Sequence, residues 1–178
     1  MTETVPADAV DHRPLILTAQ LDARAAGHFE ALRRAHFPPA RNQVPAHVTL
    51  FHQLPGSLID EITVHLRAVA RAQPVIDAEV APPRSLGNGV AYDVRSAALA
   101  ALHAELAADW AGLIIAQDRV RLRAHVTVQN KVDAATARAT LAQLGADFVP
   151  RRIRITGVTL WRYLGGPWQH LRDIGFRG

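Results

Sequence analysis

Hydrophobic residues recur along the chain with two spacings, which predict alternating helices and strands. Apolar residues three and four positions apart predict amphipathic helices over residues 22–35, 58–69, 96–110 and 133–144. Shorter runs, alternating or rich in β-branched residues, predict strands over 14–21, 46–54, 75–86, 90–94, 124–132, 153–163 and 168–176. The third of these strands contains Pro82-Pro83, which predicts an edge or a bend because proline cannot donate to a ladder.

Polar residues and glycines mark where these elements begin and end. Helix N-caps are predicted at Asp22, Ser57, Ser96 and Asp133. Asn88-Gly89 predicts a two-residue hairpin turn between two strands. Gly157 predicts a bulge at which a long strand changes its buried face.

Two of the predicted strands begin with the same four residues, Ala-His-Val-Thr, at 46–49 and 124–127. Successive side chains of a strand point to opposite faces. His47 and Thr49 therefore share one face, as do His125 and Thr127, while the intervening valines face the other way. Each copy offers one imidazole and one hydroxyl to an open side and buries aliphatic side chains behind it.

The two histidines are separated by an offset of 78 residues (125 − 47), and other residues match at the same offset. These matches are Leu66 with Leu144, Val80 with Val158, and Leu86-Gly87 with Leu164-Gly165. They lie in corresponding elements, which favours an internal duplication of a strand, a helix and a long hairpin. We therefore predict an α+β, bilobal duplicated fold with two antiparallel β-sheets, flanked by helices, around a central cleft. Each motif strand is expected to be covered by its own helix.

We predict a flexible N-terminal tail over residues 1–13 and a single domain of two pseudo-symmetric lobes over 14–178. The tail contains acidic residues and lacks the apolar segment of a secretory signal, and no apolar run approaches the length of a membrane span. We expect a cytoplasmic monomer without membrane association. Hydrophobic residues make up 49% and charged residues 20%, which is typical of globular rather than disordered chains.

Charge and cysteine content narrow the chemistry. The chain contains no cysteine, which excludes disulfides, thiolate catalysis and thiolate metal ligands. All but one of the 20 basic residues are arginines, and Lys131 is the exception. The formal net charge of +4 favours anionic partners such as phosphates or RNA, although many soluble domains are equally basic.

Two imidazoles and two hydroxyls facing one cleft suit attack on a phosphodiester. One histidine can accept a proton while the other donates one, so His47 and His125 are the candidate catalytic residues. Thr49 and Thr127 can hydrogen-bond the phosphoryl oxygens. Lys131 shares strand parity with the second motif and is a further candidate for phosphate binding, although a solvated strand end is an equal alternative. This chemistry requires neither a metal ion nor a cofactor.

The paired motifs His47-Val48-Thr49-Leu50 and His125-Val126-Thr127-Val128 resemble those of the 2H phosphoesterases, which include bacterial 2′-5′ RNA ligases and cyclic phosphodiesterases. The resemblance covers the chain from about residue 15 to 176. It implies a metal-independent enzyme acting on RNA or nucleotides with 2′,3′-cyclic phosphates, yielding 2′-phosphates, or cleaving or joining 2′-5′ linkages. The chain departs from the family where Phe-Leu-Gly often follows the first motif, where proline often precedes each histidine, and where an arginine often follows the second motif.

Other interpretations of these residues remain open. The same cleft could serve a non-catalytic RNA- or nucleotide-binding module, and a histidine-based metallohydrolase is a further alternative. Phe51 fits core packing better than base stacking. His52 falls on the packed face of a regular strand, and a bulge would reverse this. Arg119, Arg121 and Arg123 either extend the histidine face or belong to an exposed loop.

Overall fold

The computed structural model describes residues 11–178, so residues 1–10 of the predicted tail lie outside the described residues. In chain order the elements are β1 (Leu15–Leu21), α1 (Ala23–His36), β2 (Val48–Leu54), α2 (Ile59–Ala72), β3 (Ile76–Ser85), β4 (Val90–Arg95), α3 (Ala97–Asp109), β5 (His125–Gln129), α4 (Ala134–Ala146), β6 (Arg151–Tyr163) and β7 (Trp168–Gly175). The structure describes the last three residues of the predicted tail, 11–13. One of them, Asp11, forms a salt bridge with Nη1 of Arg162 in β6 at 2.8 Å. The tail therefore contacts the domain at its end.

Three of the four predicted helix caps are confirmed. Asp22 accepts hydrogen bonds from two backbone N–H groups of α1, Ser96 accepts one from Leu99, and Asp133 accepts one from Thr136. The cap predicted at Ser57 is wrong, because a short 3₁₀ turn over 56–58 precedes α2 and no side chain caps that helix. Among residues 11–178, no helix has both the length and the apolarity needed to cross a membrane.

All strand pairs are antiparallel and form one continuous ladder in the order β2-β1-β6-β3-β4-β5, with β7 also paired to β6. The long strand β6 joins two halves of this ladder. Its first residues, 151–155, pair with β3, while residues 155–162 pair with β1 and 157–163 with β7. The predicted α+β class is confirmed, and the two expected sheets are continuous because β6 belongs to both.

A bulge at Gly157 marks the point where β6 passes from one half to the other. Gln20 pairs with Gly157, but the next residue of β1 pairs with Ile155, so β6 has one extra residue there. A Cβ atom on Gly157 would lie 2.4 Å from the backbone oxygen of Ile174. The predicted bulge is confirmed, and only glycine fits so close to the neighbouring strand.

The prolines of β3 lie where that strand has a single neighbour. β6 pairs with residues 76–80 of β3, whereas Pro83 pairs only with Tyr92 of β4. The register between β3 and β4 also shifts between Val80 and Pro83. The prediction of an edge or bend is confirmed, because a missing backbone donor costs nothing on an unpaired edge. The hairpin turn spans residues 86–89 rather than two residues, with Gly87 at φ 83°.

The order of strand, helix and hairpin occurs twice, as β2-α2-β3-β4 and β5-α4-β6-β7. The two units exchange their hairpins: β4 pairs with β5, whereas β6 pairs with β1, which in turn pairs with β2. The expectation that each motif strand is covered by its own helix is therefore wrong. β5 packs against α1, and Phe51 of β2 stacks on His103 of α3 with ring centroids 4.7 Å apart.

The sheet curls until its two end strands meet. β2 and β5 stand at opposite ends of the strand order, yet they contact each other, and α1 contacts both β1 and β5. Behind the motif strands, Val48, Leu50, Val126 and Val128 are at most 1% exposed. The curl brings together the two strands that carry the repeated motifs, and their buried aliphatic residues hold them in the core.

Candidate active site

The two motifs have the same pattern of burial. His47 lies directly before β2 and His125 is the first residue of β5. Both imidazoles and both motif threonines are half-buried, while the valine between each pair is fully buried. The alternation predicted from strand parity is therefore present in both copies. Each copy leaves one imidazole and one hydroxyl accessible.

Both motif histidines are held in the same way by the backbone. The Nδ1 atom of His47 lies 2.7 Å from the carbonyl oxygen of Pro45, and Nδ1 of His125 lies 2.7 Å from the carbonyl oxygen of Arg123. A carbonyl oxygen can only accept a hydrogen bond, so each Nδ1 carries a proton. The other ring nitrogen, Nε2, is then the one that exchanges protons with a substrate.

The buried side chain of Arg33 on α1 connects the two motifs. Its Nη1 atom donates to the carbonyl oxygen of Thr127 at 2.8 Å, inside the second motif. Nη2 donates to the carbonyl oxygen of Val44 at 2.8 Å, and Nε donates to Oδ1 of Asn42 at 3.1 Å, in the loop that leads to the first motif. Arg33 is 3% exposed. Its rigid guanidinium therefore fixes one motif relative to the other.

His47 is strongly biased towards its neutral form. Burial is the main cause that lowers the pKa of His47 to about 4, and the positive charges of Arg33, His125 and His52 act in the same direction, against the hydrogen bond to Pro45. A charged imidazole loses solvation in this position and also faces other cations. At neutral pH His47 is therefore an uncharged proton acceptor.

Aromatic side chains of the β6–β7 hairpin border His47. The rings of His47 and Trp168 have centroids 4.8 Å apart and planes inclined by 50°. Trp161 donates from Nε1 to Oγ1 of Thr18 at 2.9 Å. A recess of about 330 Å³ is lined by His47, Trp161 and His170, among others. The first motif therefore opens towards a surface that combines aromatic and polar groups.

A row of polar residues crosses the sheet from the first motif. Thr49 pairs with Thr18, Thr18 with Thr159, and Thr159 with Asp173, across four neighbouring strands. Directly opposed residues in an antiparallel ladder project to the same face. Thr159 donates from Oγ1 to Oδ1 of Asp173 at 2.8 Å. The face on which Thr49 lies is therefore polar across this half of the sheet.

On the other half of the sheet, an ion pair lies beside His125. Asp93 of β4 is the direct cross-strand partner of His125. Its Oδ1 atom accepts a bond from Nε of Arg84 at 2.6 Å. The carboxylate nearest the second histidine in the ladder is therefore already neutralised by an arginine.

Lys131 lies beyond the end of β5, the strand from which the direction of its side chain was predicted. β5 ends at Gln129, whose buried side-chain amide donates to Oγ1 of Thr140 in α4 at 2.8 Å. Lys131 is exposed and has φ 61°, a left-handed conformation uncommon for residues other than glycine. Strand parity consequently does not fix the direction of its side chain, and phosphate binding by Lys131 stays a prediction.

Asp118 and Arg33 contact the segments that carry the two motifs, and the sequence pattern did not predict either contact. Asp118, with its side chain 1% exposed, accepts a bond from Nδ1 of His52 at 2.7 Å and from the backbone N–H groups of His52 and Gln53. His52 is exposed because β2 has register shifts relative to β1, which reverse the parity of a regular strand. Arg33 was missed as well, although it shares the buried spacing of Ala25 and Phe29.

The remaining residues considered from the sequence lie in the core or in an exposed segment. Phe51 is fully buried, as the core interpretation predicted. Arg119, Arg121 and Arg123 lie outside any strand in an exposed segment before β5. Within residues 11–178, no three histidine, aspartate or glutamate side chains are grouped closely enough to hold a metal ion.

Comparison with known proteins places the chain among enzymes with this architecture. A family model described as the 2′-5′ RNA ligase superfamily matches residues 21–167. A search of curated protein sequences finds no significant match.

Solved structures resemble the chain over nearly its whole length. LigT of Escherichia coli complexed with 3′-AMP is 17% identical, covers 94% of this chain and 100% of its own, and has a TM-score of 0.59. The same protein complexed with NADP⁺ has a TM-score of 0.61 at 17% identity, with coverages of 94% and 100%. TT0787 of Thermus thermophilus has a TM-score of 0.63 at 17% identity, with coverages of 93% and 98%. At these identities the likeness establishes the fold.

Proposed function

The chain belongs to the 2′-5′ RNA ligase superfamily, and we propose that it is a metal-independent phosphodiesterase that opens 2′,3′-cyclic phosphates of RNA or nucleotides to 2′-phosphates. One observation carries the proposal. His47 and His125 are each oriented by a backbone carbonyl at 2.7 Å, so that each has Nε2 left for proton transfer. Such a pair supplies the base and the acid that the reaction needs.

The reaction step balances with these two groups. The neutral imidazole of His47 takes a proton from a water molecule as its oxygen attacks phosphorus. The bond between phosphorus and the 3′-oxygen breaks, and protonated His125 gives its proton to that oxygen. The products are a 2′-phosphate and a 3′-hydroxyl. The protons then exchange with solvent, which restores both histidines.

The assignment of His47 as the base follows from its surroundings. Burial and the neighbouring cations keep the pKa of His47 at about 4, so the imidazole is unprotonated at neutral pH. An unprotonated imidazole is the form that accepts a proton from water. His125 is then left as the acid that protonates the departing oxygen.

Thr49 and Thr127 complete the set as hydrogen-bond donors to the non-bridging phosphoryl oxygens. Each shares the face of its strand with the motif histidine, and each is half-buried, so its hydroxyl is accessible. Trp168 beside His47 offers a flat surface on which a nucleobase can stack. In this proposal Lys131, which is exposed after the end of β5, adds a cation to the phosphate site.

A substrate panel tests this proposal. Purified protein is incubated with 2′,3′-cyclic mononucleotides, RNA ending in a 2′,3′-cyclic phosphate, and 2′-5′-linked dinucleotides, and the products are identified by chromatography. We expect hydrolysis to 2′-phosphates, unchanged by EDTA. Cleavage of the dinucleotides, or their formation from a cyclic phosphate and a 5′-hydroxyl, would extend the activity to 2′-5′ linkages. Binding of these compounds without turnover would instead support a nucleotide-binding module.

A further inference from the structure

A second concavity lies beside the segment that leads into the second motif. It has a volume of about 760 Å³ and lies between the end of β4, the start of α3 and the segment before β5. Its charged and polar lining residues are Asp93, Arg95, Ser96, Arg121 and Arg123. We call it the arginine groove. Its volume is within the range of roughly 300–1,000 Å³ that ligand-binding clefts occupy.

The three arginines of the groove are exposed, and within residues 11–178 none of them has a carboxylate within ion-pair distance. Asp93, the carboxylate in the lining, is bonded to Arg84 at 2.6 Å. Glu79 opposes Arg95 across the β3–β4 ladder, but it does not line the groove and its carboxylate lies 3.8 Å from Arg152. Among residues 11–178, the groove therefore presents positive charge that no ion pair neutralises.

The arginine groove is adjacent to His125. Asp93 is the cross-strand partner of His125, and Arg95 follows it two residues later on the same face of β4. The backbone oxygen of Arg123 orients His125, and Arg123 is also one of the residues that line the groove. An extended ligand that binds in the groove consequently reaches His125 at one end of the groove.

Unpaired guanidinium groups along a groove match a repeated anion. Arginine binds phosphate through two parallel hydrogen bonds, and a row of such contacts follows the backbone of a single-stranded nucleic acid. A mononucleotide has its phosphate at the histidines and has no further phosphate for the groove. The groove arginines can contact substrate phosphates only when the substrate extends beyond the reacting phosphate.

We propose that the arginine groove binds the sugar–phosphate backbone of an RNA strand next to the reacting phosphate, so that the enzyme prefers RNA ends to mononucleotides. This inference rests on the proposed function, since it names the substrate class of the same site. The groove contacts phosphates and leaves base choice to other parts of the cleft.

The test compares two substrates in two double variants. The first variant is Arg95→Ala with Arg121→Ala, which removes two groove cations and leaves the carbonyl of Arg123 in place. The control is Arg67→Ala with Arg71→Ala, which removes two exposed arginines from a separate recess beside α2 and β7. The substrates are a 2′,3′-cyclic mononucleotide and a short RNA with the same terminal cyclic phosphate.

We expect the groove variant to lose about tenfold or more in kcat/KM on the RNA and to keep its activity on the mononucleotide, because charge-assisted hydrogen bonds to phosphates are lost. The control should change neither value. Equal losses on both substrates, no loss on the RNA, or the same loss in the control would each overturn the proposal.

A binding measurement separates failure of the groove from failure of the proposed activity. Fluorescence anisotropy of a labelled RNA that ends in a stable 3′-phosphate is recorded over a range of salt concentrations. In the groove variant, the slope of log affinity against log salt should decrease by about 1.4, since each single-strand phosphate contact contributes about 0.7. An unchanged slope would overturn the proposal even if hydrolysis is observed. An acidic peptide that binds as tightly, and depends on the same arginines, would overturn the assignment to RNA.

Discussion

The guanidinium of Arg33 donates to the backbone oxygen of Thr127 at 2.8 Å, although the two residues are 94 positions apart in the chain. The same side chain also donates to the backbone oxygen of Val44 and to the side chain of Asn42. A single buried residue of α1 thus contacts the polypeptide of both motifs. Arg33 is a positioning residue: it sets the relation of the two histidines and adds positive charge near His47.

Replacing Arg33 should separate these two effects. Arg33→Met leaves two backbone oxygens and an amide without donors, and we expect a loss of roughly 3 kcal/mol in the free energy of unfolding. It also removes a cation near His47, so the pKa of His47 should rise towards its ordinary value. NMR titration of the His47 ring measures this pKa, and urea unfolding measures the stability.

The lysine variant and a neighbouring arginine serve as controls. Arg33→Lys keeps the charge but loses the fork of donors, so kcat should fall while the pKa of His47 stays low. Arg34→Met, on the exposed side of α1, should change neither quantity. A pKa of His47 that is the same in Arg33→Met and in the wild-type protein would contradict the account.

The burial of His47 makes the folded protein sensitive to acid. The pKa of His47 is about 4 in the folded protein and 6.5 in a model peptide, so between these values the unfolded chain binds more protons. Stability should therefore fall as pH decreases from about 6.5 to about 4. His47→Gln should lose less stability over this window than the wild-type protein. Equal pH dependence of urea unfolding in the two proteins would show that His47 is not the group responsible.

The roles of the two histidines can be distinguished by the leaving group. A phosphodiester with a p-nitrophenyl ester loses that group without protonation, so the reaction needs a base but no acid. On this substrate His125→Ala should retain most of the wild-type kcat, whereas His47→Ala should remain inactive. If His47→Ala is the more active of the two variants, the assignment of base and acid is reversed.

Gly157 should tolerate no side chain, because a Cβ would lie 2.4 Å from the backbone oxygen of Ile174 and 2.5 Å from Oε1 of Gln20. We expect Gly157→Ala to cost roughly 1–3 kcal/mol in the free energy of unfolding. Gly27→Ala is the matched control, since nothing lies within 4 Å of its Cβ position on the exposed face of α1. It should stabilise the protein by about 1 kcal/mol. Equal effects of the two substitutions would contradict the packing described at the bulge.

The local features of the fold were predictable from sequence because they depend on neighbouring residues. The caps at Asp22, Ser96 and Asp133, the bulge at Gly157 and the burial pattern of both motifs follow from local hydrogen bonding and strand alternation. The exchange of hairpins between the two repeated units was not predictable, since strand pairing between distant segments leaves no trace in the spacing of apolar residues.

The candidate site shows the same division between local and distant information. The repeated motif led to the prediction, from sequence alone, that the two histidines and the two threonines form the site. Arg33 and Asp118 act through contacts with residues 94 and 66 positions away, which periodicity cannot reveal. An arginine at the buried spacing of α1 was the one available signal, because a charged residue on an apolar stripe requires specific partners. The prediction for Lys131 assumed that the strand alternation continues to residue 131, whereas β5 ends at Gln129.

The most direct test of the central claim is the hydrolysis of a 2′,3′-cyclic nucleotide by the wild-type protein and by His47→Ala and His125→Ala, with circular dichroism to verify that each variant is folded. We predict that the wild-type protein forms the 2′-phosphate in the presence of EDTA and that each folded variant loses at least about 100-fold in kcat, since general acid or base catalysis contributes that much or more. Full activity in either folded variant would contradict the mechanism.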